Sequence, residues 1–225
     1  MKLTARGIAV IEGDNYLSAE IINEGRLDVA SAHALLDPLR QYIPVGGVVV
    51  DVGASLGDTA AVLSEMVGEA GVVHAFEPNP PTLECLRHNM RECANVFTYE
   101  AGLGTKDHQP VGVVLDTNNV GASRLEPQPD GRIIVLPLDI FSASWSRLDF
   151  LKIDAEGWEP LVLDGARETI LRHRPAMLIE VNTWPLGKMG FTPDDIWSRL
   201  DALNYQFERF DGPYGDVLAL PKERV

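Results

Sequence analysis

Short apolar runs alternate along this chain with segments whose apolar residues recur at helical spacing. Residues 47–59 read Gly-Val-Val-Val-Asp-Val-Gly-Ala-Ser-Leu-Gly-Asp-Thr, after which Ala60, Leu63 and Val67 follow on one helical face. This pattern predicts a buried strand, a tight turn and a helix N-terminus, the junction where open α/β sheets bind nucleotide-like cofactors. Further apolar runs at Val72–Phe76, about Val96–Ala101, Leu148–Ile153 and Ala176–Val181 predict four more strands. The intervening helices carry Leu83, Leu86, Met90 and Cys93, then Trp158, Leu161, Val162, Ile170 and Leu171. A third, with Ile196, Leu200 and Leu203, opens on the cap-like Thr192-x-x-Asp195. Tyr205–Phe210 and Val217–Leu220 predict a closing pair of strands on a loop at Asp211–Asp216. Such alternation implies an α/β fold: a mostly parallel sheet with helices on both faces and one antiparallel strand near the C-terminus.

Two stretches depart from the alternation. Residues 1–44 are expected to form an N-terminal cap ahead of a core at 45–225. In them, Gly7–Ile11 and Leu17–Ile22 predict short strands about a Gly13-Asp14-Asn15 turn. A helix is predicted from about Ala30 to Tyr42, ended by Pro44 and the Gly46-Gly47 pair. The second stretch, residues 104–136, has alternating Val111, Val113 and Leu115, then Ile133 and Val135. It predicts an inserted hairpin with a long tip at Asp116–Gly131, and loops of that length in a compact domain are often functional. On the tip, Asn118, Asn119, Gly121 and Ser123 suit either a polyhydroxylated ligand or an ordinary turn.

Composition narrows the classes. With 225 residues the chain can bury a substantial core. Its net charge of -14 repels phosphodiester backbone and anionic lipid, which argues against nucleic acid or a membrane surface as partner. No signal-peptide pattern opens the chain, and no run approaches the roughly 18 apolar residues of a membrane helix. A cytoplasmic protein is expected. Cys85 and Cys93 lie eight apart in one predicted helix, about 12 Å along its axis, beyond disulfide reach.

The turn identifies the kind of cofactor. Gly53-Ala-Ser-Leu-Gly57 lacks the middle glycine that brings backbone against a pyrophosphate. Asp58 sits where a helix N-terminus would hold phosphate, and Asp51 just precedes the turn, so fixed carboxylates favour a ligand with positive charge. Glu77 ends the second strand, 24 residues after Gly53, where a carboxylate accepts hydrogen bonds from both hydroxyls of an unphosphorylated ribose. An adenosine ribose, no pyrophosphate and a cationic centre describe S-adenosylmethionine.

With those residues in place the chain resembles the FkbM family of S-adenosylmethionine-dependent methyltransferases. The resemblance runs over about residues 45–185. It rests on Val50-Asp-Val-Gly-Ala-Ser-Leu-Gly-Asp58, Ala75-Phe-Glu-Pro-Asn-Pro80, Leu148-Asp-Phe-Leu-Lys-Ile-Asp-Ala-Glu-Gly-Trp-Glu159 and Ile179-Glu-Val-Asn182. It implies a Rossmann-like class I methyltransferase fold with a seven-stranded sheet, and methyl transfer to a hydroxyl of a small sugar-like or polyketide-like metabolite. It also implies cofactor contacts at Asp51, Gly53, Gly57 and Glu77, with Gly102-Leu103 bordering the adenine; members usually carry Ala where this chain has Gly102. Ala54, Ser55, Asp58, Thr59, Pro78 and Asn79 complete the expected cofactor-binding set.

Methyl transfer to oxygen is an in-line displacement that needs positioning and a base for the hydroxyl proton. The pocket of such a sheet lies beyond the carboxyl ends of its strands. There Asp154 is the first choice for base and Glu180 the second, while Glu156 either joins them or caps the helix near Trp158. Lys152, inside an apolar strand, is expected to pair with one of these acids and orient it. Asp154, Glu180 and Asn182 would suit Mg²⁺, but the resemblance requires no metal and none is expected. His74 is expected in the core; His33 reaches the pocket only if the N-terminal segment folds over it. Trp184, just after the fifth strand, could stack on a sugar face. The alternatives are a nicotinamide-dependent oxidoreductase, which the turn disfavours, a non-catalytic cofactor sensor, and methylation of nitrogen.

Overall fold

The computed structural model of the protein describes residues 1–24, 27, 29–116, 118–209 and 215–224. Strands in chain order are β1 (Lys2–Leu3), β2 (Ala9–Val10), β3 (Val48–Val52), β4 (Val72–Phe76), β5 (Val96–Tyr99), β6 (Gly102–Leu103) and β7 (Val111–Val114). They continue with β8 (Arg124–Pro127), β9 (Val135–Leu136), β10 (Phe150–Ile153), β11 (Ala176–Ile179), β12 (Tyr205–Arg209) and β13 (Val217–Pro221). The helices are α1 (Leu17–Glu24), α2 (Val29–Leu36), α3 (Asp58–Val67), α4 (Pro80–Asn89), α5 (Leu138–Phe141), α6 (Glu159–Gly165), α7 (Arg167–His173), α8 (Thr183–Lys188) and α9 (Pro193–Ala202).

Seven strands form one sheet in the order β12-β13-β11-β10-β3-β4-β5. The central strands run parallel and β13 runs antiparallel to both its neighbours. Both faces are covered, which is why these strands read as unbroken apolar runs. Val50, Val52, Leu151 and Ile153 pack with Trp158, Val162 and Ile170 on one side. Val49, Val73, Phe150 and Leu178 pack with Leu63, Val67 and Leu86 on the other. The register pairs Val52 with both Phe76 and Ile153, and Ile153 with Ile179. Four strands therefore end level, and the next residues, Gly53, Glu77, Asp154 and Glu180, emerge side by side along one edge.

Several expected elements differ from those observed. Leu17–Ile22 is helix α1, not a strand. Asp14 Oδ2 accepts Ser18 N–H at 2.6 Å and Oδ1 accepts Tyr16 N–H at 3.3 Å, a capping arrangement that starts a helix despite the Ile21-Ile22 pair. The helix expected to Tyr42 tightens into 3₁₀ geometry at Asp37–Tyr42, where Pro38 enters. Helix α4 ends at Asn89, so Cys93 lies beyond it; both cysteines are free. The single helix expected after β10 divides into α6 and α7, because Asp139 Oδ1 accepts Thr169 N–H at 2.8 Å and begins a new N-terminus. The Thr192–Asp195 capping box is present.

The inserted hairpin pairs β7 with β8, not with the segment around Val135, so its tip spans 115–123 rather than Asp116–Gly131. Val135 instead pairs with Gly102 in the short parallel β6–β9 ladder. Trp158 fixes the hairpin by donating its indole N–H to the Leu125 carbonyl at 2.8 Å. The expected strand end at Phe210 and most of the 211–216 loop lie outside the described residues.

Residues 1–24 fold against the insertion. Asp14 Oδ1 accepts Val120 N–H at 3.1 Å, and Asn15 N–H donates to the Asn118 carbonyl at 3.1 Å. Asn89 ties β2 to the glycine turn, exchanging bonds with Ala9 (2.8 and 3.0 Å) and donating to the Leu56 carbonyl at 2.9 Å.

Candidate active site

Beyond the level strand ends lies a cavity of about 1000 Å³, part of it open to solvent. The β3–α3 turn supplies its floor. Gly53 has φ +78°, and a Cβ there would collide with the Asp154 carbonyl oxygen, so only glycine lets the ends of β3 and β10 approach this closely. Ala54, Ser55, Asp58 and Thr59 line the cavity after it, with Glu77, Pro78 and Asn79 from the end of β4. Gly102 and Leu103 line it from β6, while Phe76, Ala101, Leu125 and Trp158 give it an apolar slot. The roof comes from Leu17 on α1 and from Val120 and Gly121 on the hairpin tip.

Glu77 is 7% exposed and its carboxylate is already oriented. Ser55 N–H donates to one oxygen at 3.0 Å and Asn79 N–H to the other at 2.9 Å. Each oxygen keeps a lone pair for a hydroxyl. Burial pushes this carboxyl up to about 7, against those two backbone donors. Ser55, at φ +47°, holds a buried hydroxyl without a protein partner beside it. Asp51 and Gly57, expected as cofactor contacts, do not line the cavity. Asp51 is fully buried behind it, both oxygens lacking hydrogen bonds and Lys152 Nζ at 3.5 Å. Gly57 packs against Leu86 and Met90.

The opposite wall is acidic. Lys152, 5% exposed, bridges Asp154 (3.0 Å) and Asp51 (3.5 Å). Burial opposes its charge, but Asp154 and Asp51 outweigh that and hold the ammonium above its ordinary value. Asp154 and Glu156 line the cavity with Lys152. Glu180 does not line it, yet its carboxylate lies within 4.8 Å of those of Asp154 and Glu156, a set able to hold a hard cation. Burial, then Asp154, push Glu156 up to about 8; burial, then Asp154 and Glu156, push Glu180 to about 10. Glu156 does not cap the helix. Glu159, the first residue of α6, instead closes the turn before the helix: its Oε1 accepts Ala155 N–H (3.0 Å) and Gly157 N–H (3.1 Å).

A raised carboxyl binds its proton more tightly in the folded state. The stability it contributes is complete below its unfolded pKa and is lost as pH rises through the folded value. Unfolding free energy is therefore expected to fall between about pH 5 and pH 10 through Glu156 and Glu180. Glu180→Gln should flatten that slope in denaturant titrations at pH 6 and pH 9; an unchanged slope would show that Glu180 is not the group titrating.

Other sequence candidates lie elsewhere. His74 stacks on Trp145 and shares a 2.8 Å hydrogen bond with the Tyr99 hydroxyl. His33 faces Asp37 and Glu65 and does not line the cavity. Gly121 and Ser123 line it; Asn118 and Asn119 do not. Sequence reasoning missed Leu17, hidden by the strand assignment, and Arg124, whose charged, Pro-ended segment does not resemble a strand.

The residues present fit a cofactor with an unphosphorylated ribose and a positive centre: an oriented Glu77, acids at Asp58, Asp154 and Glu156, and an apolar slot for a base. Sheet order, the single antiparallel strand and this cavity define a Rossmann-like class I methyltransferase, the class whose cofactor is S-adenosylmethionine. The family model of the Methyltransferase FkbM domain matches residues 51–207, and the chain belongs to that family.

Among solved structures, methyltransferase FkbM from Methylobacillus flagellatus KT is 21% identical with a TM-score of 0.52, over 77% of this chain and 43% of that one. Fibrillarin from Aeropyrum pernix, with natively bound S-adenosyl-L-methionine, is 15% identical with a TM-score of 0.51, over 79% of this chain and 67% of that one. A curated protein-L-isoaspartate O-methyltransferase from Methanosarcina mazei is 27% identical over 110 residues, 46% of this chain and 45% of the relative. The matches thus span less than half the length of the curated relative and of the FkbM structure. No helix among the described residues is long and apolar enough to cross a membrane.

Proposed function

We propose that the protein is an S-adenosylmethionine-dependent O-methyltransferase acting on a small hydroxylated metabolite rather than on nucleic acid. The carrying observation is the Asp154 carboxylate, set in the cavity wall by Lys152 at 3.0 Å and facing the same space as Glu77. Glu77 would take the ribose hydroxyls, Phe76, Ala101 and Leu103 the adenine, and Asp58 the positively charged end. When bound, the cofactor would supply an electrophilic methyl group and leave as the neutral thioether S-adenosylhomocysteine.

This chain's residues then do three things. Asp154 accepts the acceptor's hydroxyl proton as its oxygen takes the methyl. Lys152 holds Asp154 in one orientation. Glu156, which lines the cavity and is pushed up to about 8 chiefly by burial, presents a carboxyl O–H that holds the acceptor oxygen, with Glu180 beside it. The curated relative's own name, an O-methyltransferase, supports oxygen as the target.

The test is transfer from S-adenosylmethionine carrying a ¹³C-methyl group to a panel of hydroxylated sugars and polyketide-like alcohols, with amines as controls. The product is read by the chemical shift of the new methyl. O-methyl products are expected. N-methyl products alone would overturn the oxygen assignment, and binding without any transfer would favour the sensor.

A further inference from the structure

Trp184 is the one exposed tryptophan of four: 57% of it is open to solvent, whereas Trp158 is buried and Trp145 and Trp197 are half-buried. It is held in place nonetheless. Asn182 Oδ1 accepts its backbone N–H at 3.2 Å, and the following residue, Pro185, packs on the turn that presents Glu156. A Cβ at Gly157 would lie 2.6 Å from the Pro185 carbonyl oxygen. The Arg124 guanidinium carbon sits 5.0 Å from the indole centroid, and Arg124 also lines the cavity. Lys188, one turn along α8, places its ammonium 5.3 Å from the same ring. Glu126 pairs with Arg124 at 2.6 Å; Lys188 has no ion pair with a described residue.

These features are unusual together. In a chain of net charge -14, two cations converge on one exposed indole at the rim of an otherwise acidic cavity. Glu126 already neutralises Arg124, whereas Lys188 has no carboxylate partner among the described residues, and the open part of the indole offers a stacking face for a ring. We propose that Trp184, Arg124 and Lys188 form the acceptor platform. The indole stacks on the face of a sugar ring, and Lys188, beside the Glu126-paired Arg124, takes an anionic substituent on it, a carboxylate or a phosphate. The ring is thereby presented to Asp154 and Glu156 while its charge stays away from them. The platform rests on the O-methyltransferase reading for its catalytic purpose, but its binding chemistry can be read separately.

The experiment follows the four indole N–H resonances of ¹⁵N-labelled protein, with Trp184→Phe assigning the relevant one. Glucuronate, glucose 1-phosphate and methyl glucoside are titrated with and without saturating S-adenosylhomocysteine. At least one anionic probe is expected to shift the Trp184 resonance and to bind about tenfold more tightly than the neutral glucoside. The stronger of the two distinguishes carboxylate from phosphate. Trp184→Ala should abolish binding while leaving the unfolding midpoint unchanged, since the side chain is exposed. Lys188→Gln should reduce the anionic probe to the affinity of the neutral one. Equal affinity for all three probes, no shift of Trp184, or full binding by Trp184→Ala would overturn the platform. Failure of S-adenosylhomocysteine to bind, with the anionic probe still on Trp184, would instead overturn the methyltransferase reading alone.

Discussion

Replacement of Lys152 by methionine is expected to cost about 3–5 kcal/mol of folding stability, the range for removing one partner of a buried charge pair. Lys152 is 5% exposed, and its ammonium stands between Asp154 and a fully buried Asp51 whose oxygens have no hydrogen bond. Without it Asp51 is a desolvated charge facing a second carboxylate. Burial already raises the Asp51 pKa, Lys152 lowers it and Asp154 raises it again, so losing Lys152 drives it further up. A folded pKa above the unfolded one gives stability that is present at low pH and lost as pH rises. The variant should therefore recover as pH falls. Adding Asp51→Asn should restore much of the loss, because the buried charge disappears with its partner. Denaturant unfolding of the single and double variants measures this; a single-variant loss no larger than that of an exposed lysine would show that the pair is not buried as described.

Asp154→Asn should reduce methyl transfer by about 10²–10⁴-fold, the usual contribution of a positioned general base. Asparagine keeps the shape and can still accept from Lys152, so the fold and the affinity for S-adenosylhomocysteine should hold. Measured turnover on any accepted hydroxyl, beside the binding constant, separates the outcomes. Unchanged turnover would remove Asp154 as the base. Equal loss of binding and turnover would make it a cofactor residue instead.

What was legible in the sequence was local. The Val48–Asp58 junction shows itself because strand, turn and helix start are consecutive residues, and Glu77, Asp154 and Glu180 because each directly follows an apolar strand. Their meeting at one edge follows from parallel pairing, which the alternation of strands and helices predicts. The reason for Gly53 was not legible, since the collision that forbids a side chain comes from the Asp154 carbonyl, a hundred positions away. Nor was the difference between Asp51 and Asp58. One points behind the cavity toward Lys152 and the other lines it, a distinction made by strand pleat and burial. Helix α1 was hidden because Ile21 and Ile22 favour strand locally, while the Asp14 cap and burial of Ile21 alone decide for helix. Strand β8 was hidden because Arg124, Glu126 and Pro127 carry little strand preference, and the hydrogen bond from distant Trp158 fixes it in place.

The central claim is that this cavity binds S-adenosylmethionine through Glu77. Isothermal titration with S-adenosylmethionine and S-adenosylhomocysteine, with NADH as control, tests it most directly. Both sulfur nucleosides should bind and NADH should not. Glu77→Ala should weaken them roughly tenfold to a hundredfold through lost charged hydrogen bonds, and Glu77→Gln, which keeps one acceptor oxygen, should weaken them less. Binding of NADH alone, or sulfur-nucleoside binding indifferent to Glu77, would contradict it.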